Sequence, residues 1–156
     1  MPAGSQARES RGVKLQVTRR GDYAVRAMLA LAEAGDRQLS AAAVGERMGI
    51  PASFVPQVMA DLSRAGLAHA ALGRRGGYRL ARSARAISLL EVVEAAAGPP
   101  RRRTCVLRGG PCAEDGTCQV HDAFTAAQHA MRVVLDRTTL HDVGGAEADR
   151  PAEAHE

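Results

Sequence analysis

Between Ser40 and Ala81 the chain is punctuated so closely that few folds accept it. Ser40 can cap a helix in which Val44 and Met48 lie one turn apart, and Gly49-Ile50-Pro51 ends it after about two turns. A following helix places Val55, Val58, Met59 and Leu62 on one inward face and ends near Gly66. Leu67–Ala71 and Tyr78–Ala81 then read as short strands around Gly73-Arg74-Arg75-Gly76-Gly77, whose glycines are expected to supply the positive φ angles of a hairpin loop. Short helix, glycine turn, second helix and basic hairpin, in that order, make a winged helix-turn-helix.

The flanking pattern is helical. Thr18 can cap a helix to about Ala34, with Tyr23, Ala24, Ala27, Met28 and Leu31 at helical spacing and Gly35 at its end. Ile87 or Ser88 opens another, with Leu89, Val92, Val93 and Ala96 on one face, closed by Gly98-Pro99-Pro100. A long helix is expected from about Gln119 to Asp142. Its apolar residues Val120, Phe124, Ala127, Met131, Val134 and Thr138 step by four and three, the spacing of a packed seam. The fold class is therefore mainly α with a small β-hairpin wing. The expected division is a disordered basic arm over 1–13, a winged helix-turn-helix over 14–98, a cysteine-rich loop over 99–118, a long helix over 119–141 and a disordered acidic tail over 142–156.

Composition narrows the function. A chain of 156 residues with 46% hydrophobic residues can bury a core without disulfides. Aromatics at 3% are too scarce for a binder that stacks single-stranded bases. No apolar run approaches the roughly 20 residues of a membrane span, and residues 1–20 hold no apolar core of a secretory signal, so a cytoplasmic protein is expected. The net charge is only +4, but residues 40–85 carry seven arginines against Glu46 and Asp61. The basicity sits on the helix-turn-helix and wing, where duplex DNA would lie.

With Val55, Val58 and Leu62 inward, Ser53, Phe54, Gln57, Asp61 and Arg64 face outward. Gln57 has the amide that pairs bidentately with adenine. Arg74 and Arg75, at the hairpin tip, suit phosphate or minor-groove contact. The plainer alternative is a helical domain with an arginine-rich solvated surface; the two-arginine hairpin directly after the second helix favours DNA. Pro56 fits only the first turn of a helix without cost, so the helix starts either near Ser53 or at Pro51 with one hydrogen bond lost.

Cys105, Cys112 and Cys118 lie as C-x6-C-x5-C among Arg103, Arg108, Gly109, Gly110, Pro111 and Gly116. Such a loop has no apolar face to bury free thiols, and its arginines and backbone N–H groups favour thiolates. Three thiolates suit an iron–sulfur cluster or zinc, completed by another residue type. His121, three residues after Cys118, and Asp22 are the candidates for the fourth ligand. Zinc sites usually show C-x2-4-C pairs, unlike these gaps. There is no C-x-x-C motif, and no Ser/His/Asp or paired-carboxylate arrangement tied to a pocket signature, so an enzyme is not expected.

The segment Leu15 to Met28, the turn Gly49-Ile50-Pro51, the wing Gly73 to Leu80, the run Ile87 to Val93 and the three cysteines together resemble the iron–sulfur winged-helix regulators typified by IscR and the nitric-oxide sensor NsrR. The resemblance spans about residues 14–141. It implies a homodimer on a pseudo-palindromic double-stranded operator, with the long helix crossing its partner's through Val120, Phe124, Ala127, Met131 and Val134. It implies a cluster on Cys105, Cys112 and Cys118. His121 matches the ligand that completes a 2Fe–2S cluster in IscR-like members, and Asp22 the carboxylate ligand of NsrR-like members. The first cysteine gap is one residue longer than in IscR, and Pro56 stands where IscR carries a base-contacting glutamate. Operator preference is therefore not carried over, and Ser53, Phe54 and Gln57 are the expected readers. The expected function is a repressor whose DNA affinity is set by a 4Fe–4S or 2Fe–2S cluster sensing nitric oxide, redox state or cluster supply, with no membrane and no small-molecule substrate. The alternative is a cluster-free winged-helix regulator that uses its thiols as a redox switch or binds zinc.

Overall fold

A computed structural model of the protein describes residues 17–98 and 120–144. The basic arm, the loop with Cys105, Cys112 and Cys118, and the tail from residue 145 onward lie outside the described residues. The order is α1 (Arg19–Ala34), α2 (Ala41–Met48), α3 (Val55–Arg64), β1 (Ala68–Ala71), β2 (Gly77–Leu80), a 3-10 turn (Ala84–Ala86), α4 (Leu89–Ala97), α5 (His121–Arg137) and α6 (Leu140–Gly144). The arrangement is the expected winged helix, mainly helical with one antiparallel hairpin.

Local signals set most boundaries. The Thr18 hydroxyl accepts from the Gly21 N–H at 3.1 Å, and the Ser40 hydroxyl from the Ala43 N–H at 3.1 Å. Each satisfies one orphan donor of its helix. Ser88 and Glu91 form a reciprocal capping box, at 3.2 and 2.9 Å, that starts α4. Gly49 ends α2 in the left-handed conformation with φ 62°. Pro56 costs nothing: α3 starts at Val55, so the proline sits in the first turn, where its missing N–H would have had no helical partner. Of the two expected starts, the one near Ser53 is therefore the observed one, and the start at Pro51 is not.

Helix α1 runs through the centre, with Ala24, Ala27, Met28, Ala30 and Leu31 fully buried. Val44, Val55, Val58, Met59, Leu62, Leu67, Ile87, Val92 and Leu140 close around it. The inward face expected for α3 is the observed one.

The wing pairs Ala68↔Leu80, His69↔Arg79, Ala70↔Tyr78 and Ala71↔Gly77. It is pinned to the body by Leu39, whose N–H donates to the Tyr78 carbonyl at 2.9 Å and whose carbonyl accepts from the Tyr78 N–H at 2.8 Å. This third, single-residue strand explains Gly77. A Cβ there would sit 2.6 Å from the Leu39 carbonyl oxygen. Of the wing glycines only Gly73 has a positive φ, at 107°. The expectation that all three supply such angles is corrected: Gly76 and Gly77 serve close backbone approach instead.

The long C-terminal helix is two helices. α5 stops at Arg137, because Thr138 turns extended with φ −93° and ψ 117°. Its hydroxyl donates to the Val134 carbonyl at 2.8 Å. Asp142 then accepts from the Thr139 N–H at 2.8 Å and hydroxyl at 2.7 Å, capping α6. Residues 142–144, expected in the tail, thus belong to a helix. The break lets Leu140 enter the core, its N–H donating to the Ile87 carbonyl at 3.0 Å.

Candidate nucleic-acid interface and ligand residues

The polar face of α3 forms because its apolar residues are used by the core. Val55, Val58, Met59 and Leu62 point inward, which leaves Gln57, Asp61 and Arg64 together on the opposite side at steps of four and three. Gln57 and Arg64 are exposed, facing outward as the helical period predicts. Asp61 is not: its side chain is only 11% exposed, covered by two guanidinium groups. Arg64 Nη1 donates to Asp61 Oδ1 at 3.0 Å, and Arg20 Nη2, from the start of α1, donates to Oδ2 at 2.5 Å.

Ser53 is exposed in the turn before α3. Phe54 is 37% exposed, and its ring packs edge-on against Tyr23 of α1, with centroids 5.3 Å apart and planes at 61°. That contact braces the turn against the first helix. Gly45 allows α2 and the turn to approach: a Cβ there would meet the Ile50 carbonyl oxygen at 3.1 Å and Val55 Cγ2 at 3.2 Å.

Arg74 and Arg75 fill the centre of a turn closed by the Gly76 N–H on the Gly73 carbonyl at 2.9 Å. Both are exposed, and neither makes an ion pair among the described residues. Arg82, by contrast, bonds Glu91 at 2.7 Å and the Ala86 carbonyl at 3.1 Å. That arginine and the Ser88 N–H hold the Glu91 carboxyl below its ordinary pKa. Among these described arginines, Arg82 is tied into the body of the fold, whereas Arg74 and Arg75 at the wing tip are not ion-paired.

Of the ligand candidates, Asp22 and His121 are described. Asp22 lies in the first turn of α1, its side chain 43% exposed. It accepts from Arg26 Nε at 3.0 Å and lies 3.0 Å from Arg26 Nη2. Arg26 also donates to the Met48 carbonyl, at 3.4 Å, on the end of α2. His121 begins α5 and is half-buried. Sequence reading passes over Arg20, Arg26 and Gly45. Arg20 reaches a partner 41 residues away and Arg26 one 22 residues away, neither marked in the sequence; only the i,i+4 pairing of Arg26 with Asp22 and the lone glycine inside a helical pattern at Gly45 have a local signal.

The expected seam falls on α5 as follows. Phe124 and Met131 are half-buried, Ala127 is exposed, and Val134 is 63% exposed. Val120 precedes the helix and is exposed. No residue of α5 is buried within one chain. The helix packs on α4, where Arg132 and Glu94 pair at 2.5 Å.

Residues 17–145 match the family model Rrf2, described as iron-dependent transcriptional regulator. The chain belongs to the Rrf2 family. An rrf2-like HTH-type transcriptional regulator of Rhodobacter capsulatus is 29% identical to this Rrf2 chain over 136 residues, covering 81% of it and 91% of the relative. The HTH-type transcriptional regulator Rv1287 of Mycobacterium tuberculosis is 32% identical over 132 residues, covering 84% and 82%. Among solved structures, T. potens IscR superposes with a TM-score of 0.68 at 26% identity, covering 91% of this chain and 93% of that one. CymR, the global cysteine regulator of B. subtilis, gives 0.70 at 24% identity over 85% and 98%, a likeness of fold. The Rrf2 chain is accordingly a DNA-binding transcriptional regulator with a winged-helix fold. No described helix is long and apolar enough to cross a membrane.

Proposed function

We propose that this Rrf2 chain acts in the cytoplasm as a homodimeric repressor whose operator affinity is set by an iron–sulfur cluster. The observation that carries the reading is the bridge from Asp22 through Arg26 to the Met48 carbonyl. One guanidinium joins a candidate ligand carboxylate to the end of the first helix of the helix-turn-helix. The donor chemistry fits the group: three thiols on Cys105, Cys112 and Cys118, with the Asp22 carboxylate or the His121 imidazole as fourth donor. The iron-dependent description of the family supports it. When bound, such a cluster supplies a centre that oxidants, nitric oxide or iron shortage destroy.

This chain's own residues convert that loss into DNA affinity. Asp22 committed to a ligand role leaves Arg26 with the Met48 carbonyl; Asp22 released pairs with Arg26 again. The two arrangements bias where α2 ends relative to α1, and with it the attitude of α3. In a dimer, a small change in each protomer alters the spacing of two recognition helices against two half-sites. The largely exposed face of α5, with Val134 and Ala127, supports pairing through that helix. Gln57 and Ser53 read bases, and Arg64, Arg74 and Arg75 hold phosphates.

Protein purified without oxygen should be brown, and iron and sulfide per protomer should distinguish a four-iron from a two-iron site. Asp22→Ala or His121→Ala, whichever loses colour, identifies the fourth ligand. Arg26→Ala should keep the colour yet bind operator equally with and without the cluster. A colourless, iron-free protein after reconstitution sinks the cluster and leaves the thiol-switch or zinc reading. An operator overlapping the promoter core is the expected outcome for a repressor.

A further inference from the structure

Asp61 is an acid on the face of α3 that the proposed function turns toward a polyanion. Left alone there it would repel phosphate. It is not alone: each carboxylate oxygen takes one guanidinium, Arg64 from its own helix and Arg20 from the first turn of α1, 41 residues away. The carboxylate is nearly covered, whereas the Arg20 and Arg64 side chains stay 46% and 75% exposed. A guanidinium has five N–H donors, so each arginine keeps donors for a second acceptor. The cluster of three carries a net positive charge and lies in line with Gln57, one helical turn before Asp61.

We propose that Arg20 is a DNA-backbone contact supplied by the first helix, and that Asp61 is a positioning residue that sets Arg20 and Arg64 as a two-armed phosphate clamp beside Gln57. The inference rests on α3 being the recognition helix. Arginine side chains lose much rotamer freedom when they bind; holding both by one shared acid removes that loss in advance. The clamp fixes register, because two phosphate contacts of set separation place Gln57 over one base step. Arg20 is also two residues before Asp22, so the same helical turn that carries the candidate ligand touches the DNA backbone.

The test uses the full-length protein, a duplex selected from a random pool by the wild type, and a random-sequence duplex. Affinity for each is measured across a salt series. Arg20→Ala should reduce the slope of log affinity against log salt by about 0.9, the effect of one lost phosphate contact. Arg20→Gln keeps the side-chain stem and a hydrogen bond to Asp61 but no charge, and should give the same reduction. Asp61→Asn should raise affinity for the random duplex, since a negative charge is removed. It should lower the selected-to-random ratio by about tenfold, because the clamp is no longer set. A slope unchanged in both Arg20 variants overturns the contact. A selected-to-random ratio unchanged in Asp61→Asn overturns the positioning role. If the wild type itself shows no salt-dependent duplex binding, the recognition-helix assignment fails and this inference fails with it; a steep wild-type slope with unchanged variants removes the clamp alone.

Discussion

Truncating Leu140 to alanine tests whether the C-terminal helix pair is latched to the winged helix. Leu140 is fully buried, its N–H is bonded to Ile87, and α6 packs on α1. The substitution removes three carbons from the core, about 2.4 kcal/mol at roughly 0.8 per buried methylene. The cavity left behind raises the loss to about 3–4 kcal/mol. That is a large share of the ~5–15 kcal/mol expected of a domain. With a urea slope of about 2 kcal/mol per molar, the unfolding midpoint should fall by about 1.5–2 M at unchanged slope. Val134→Ala is the companion variant. In a lone chain this 63% exposed residue should cost no more than about 0.5 kcal/mol. In a dimer paired through α5 it becomes an interface loss: the midpoint should fall by more than the lone-chain figure at equal protein concentration, and the variant should dissociate at higher concentration than wild type. A Leu140→Ala midpoint within about 0.3 M of wild type would refute the latch, and with it the reason α5 holds its place on α4.

Gly77→Ala drives a Cβ against the Leu39 carbonyl and should release the wing, costing about 1–3 kcal/mol and weakening DNA binding, read by thermal unfolding and a duplex titration. Arg74→Ala with Arg75→Ala should leave thermal stability within about 0.5 kcal/mol, since both are exposed and unpaired among the described residues. It should weaken binding to all duplexes alike and cut the salt slope by about 1.8; unchanged affinity removes the wing from the interface. The Glu91 carboxyl is held below its ordinary pKa by Arg82 and the Ser88 N–H. A depressed folded pKa contributes stability that is fully present above the ordinary value and lost as pH falls through the depressed one. Glu91→Gln should therefore flatten part of the stability decline from about pH 6 to about pH 3. The effect is roughly 0.5 kcal/mol, because solvent screens this half-exposed pair.

Much of the fold is legible in the sequence. Thr18, Ser40, Ser88 and Gly49 act within a few residues of themselves, through caps that any matching peptide can form, and they bound α1, α2 and α4 as expected. The inward face of α3 follows from a period that repeats within ten residues. Where the expectation fails, the deciding contact is distant. The heptad-like run through Thr138 reads as one helix, but the chain breaks there so that Leu140 can fill a space beside Ile87 and α1. The break is a tertiary gain that overrides local periodicity.

The candidate interface divides the same way. That a basic hairpin follows a helix-turn-helix is a matter of order along the chain, and that order alone points to DNA. Which arginines are available to DNA is a matter of partners in space. Arg82 is spent on Glu91, Arg64 shares Asp61 with Arg20, and Arg74 and Arg75 stand free of ion pairs among the described residues. Asp61 reads from sequence as one more outward charge; only packing α1 across α3 turns it into the acid between two cations. Caps and periods are encoded over one or two helical turns. A charge acquires its role from residues tens of positions away, and only the folded chain brings those together.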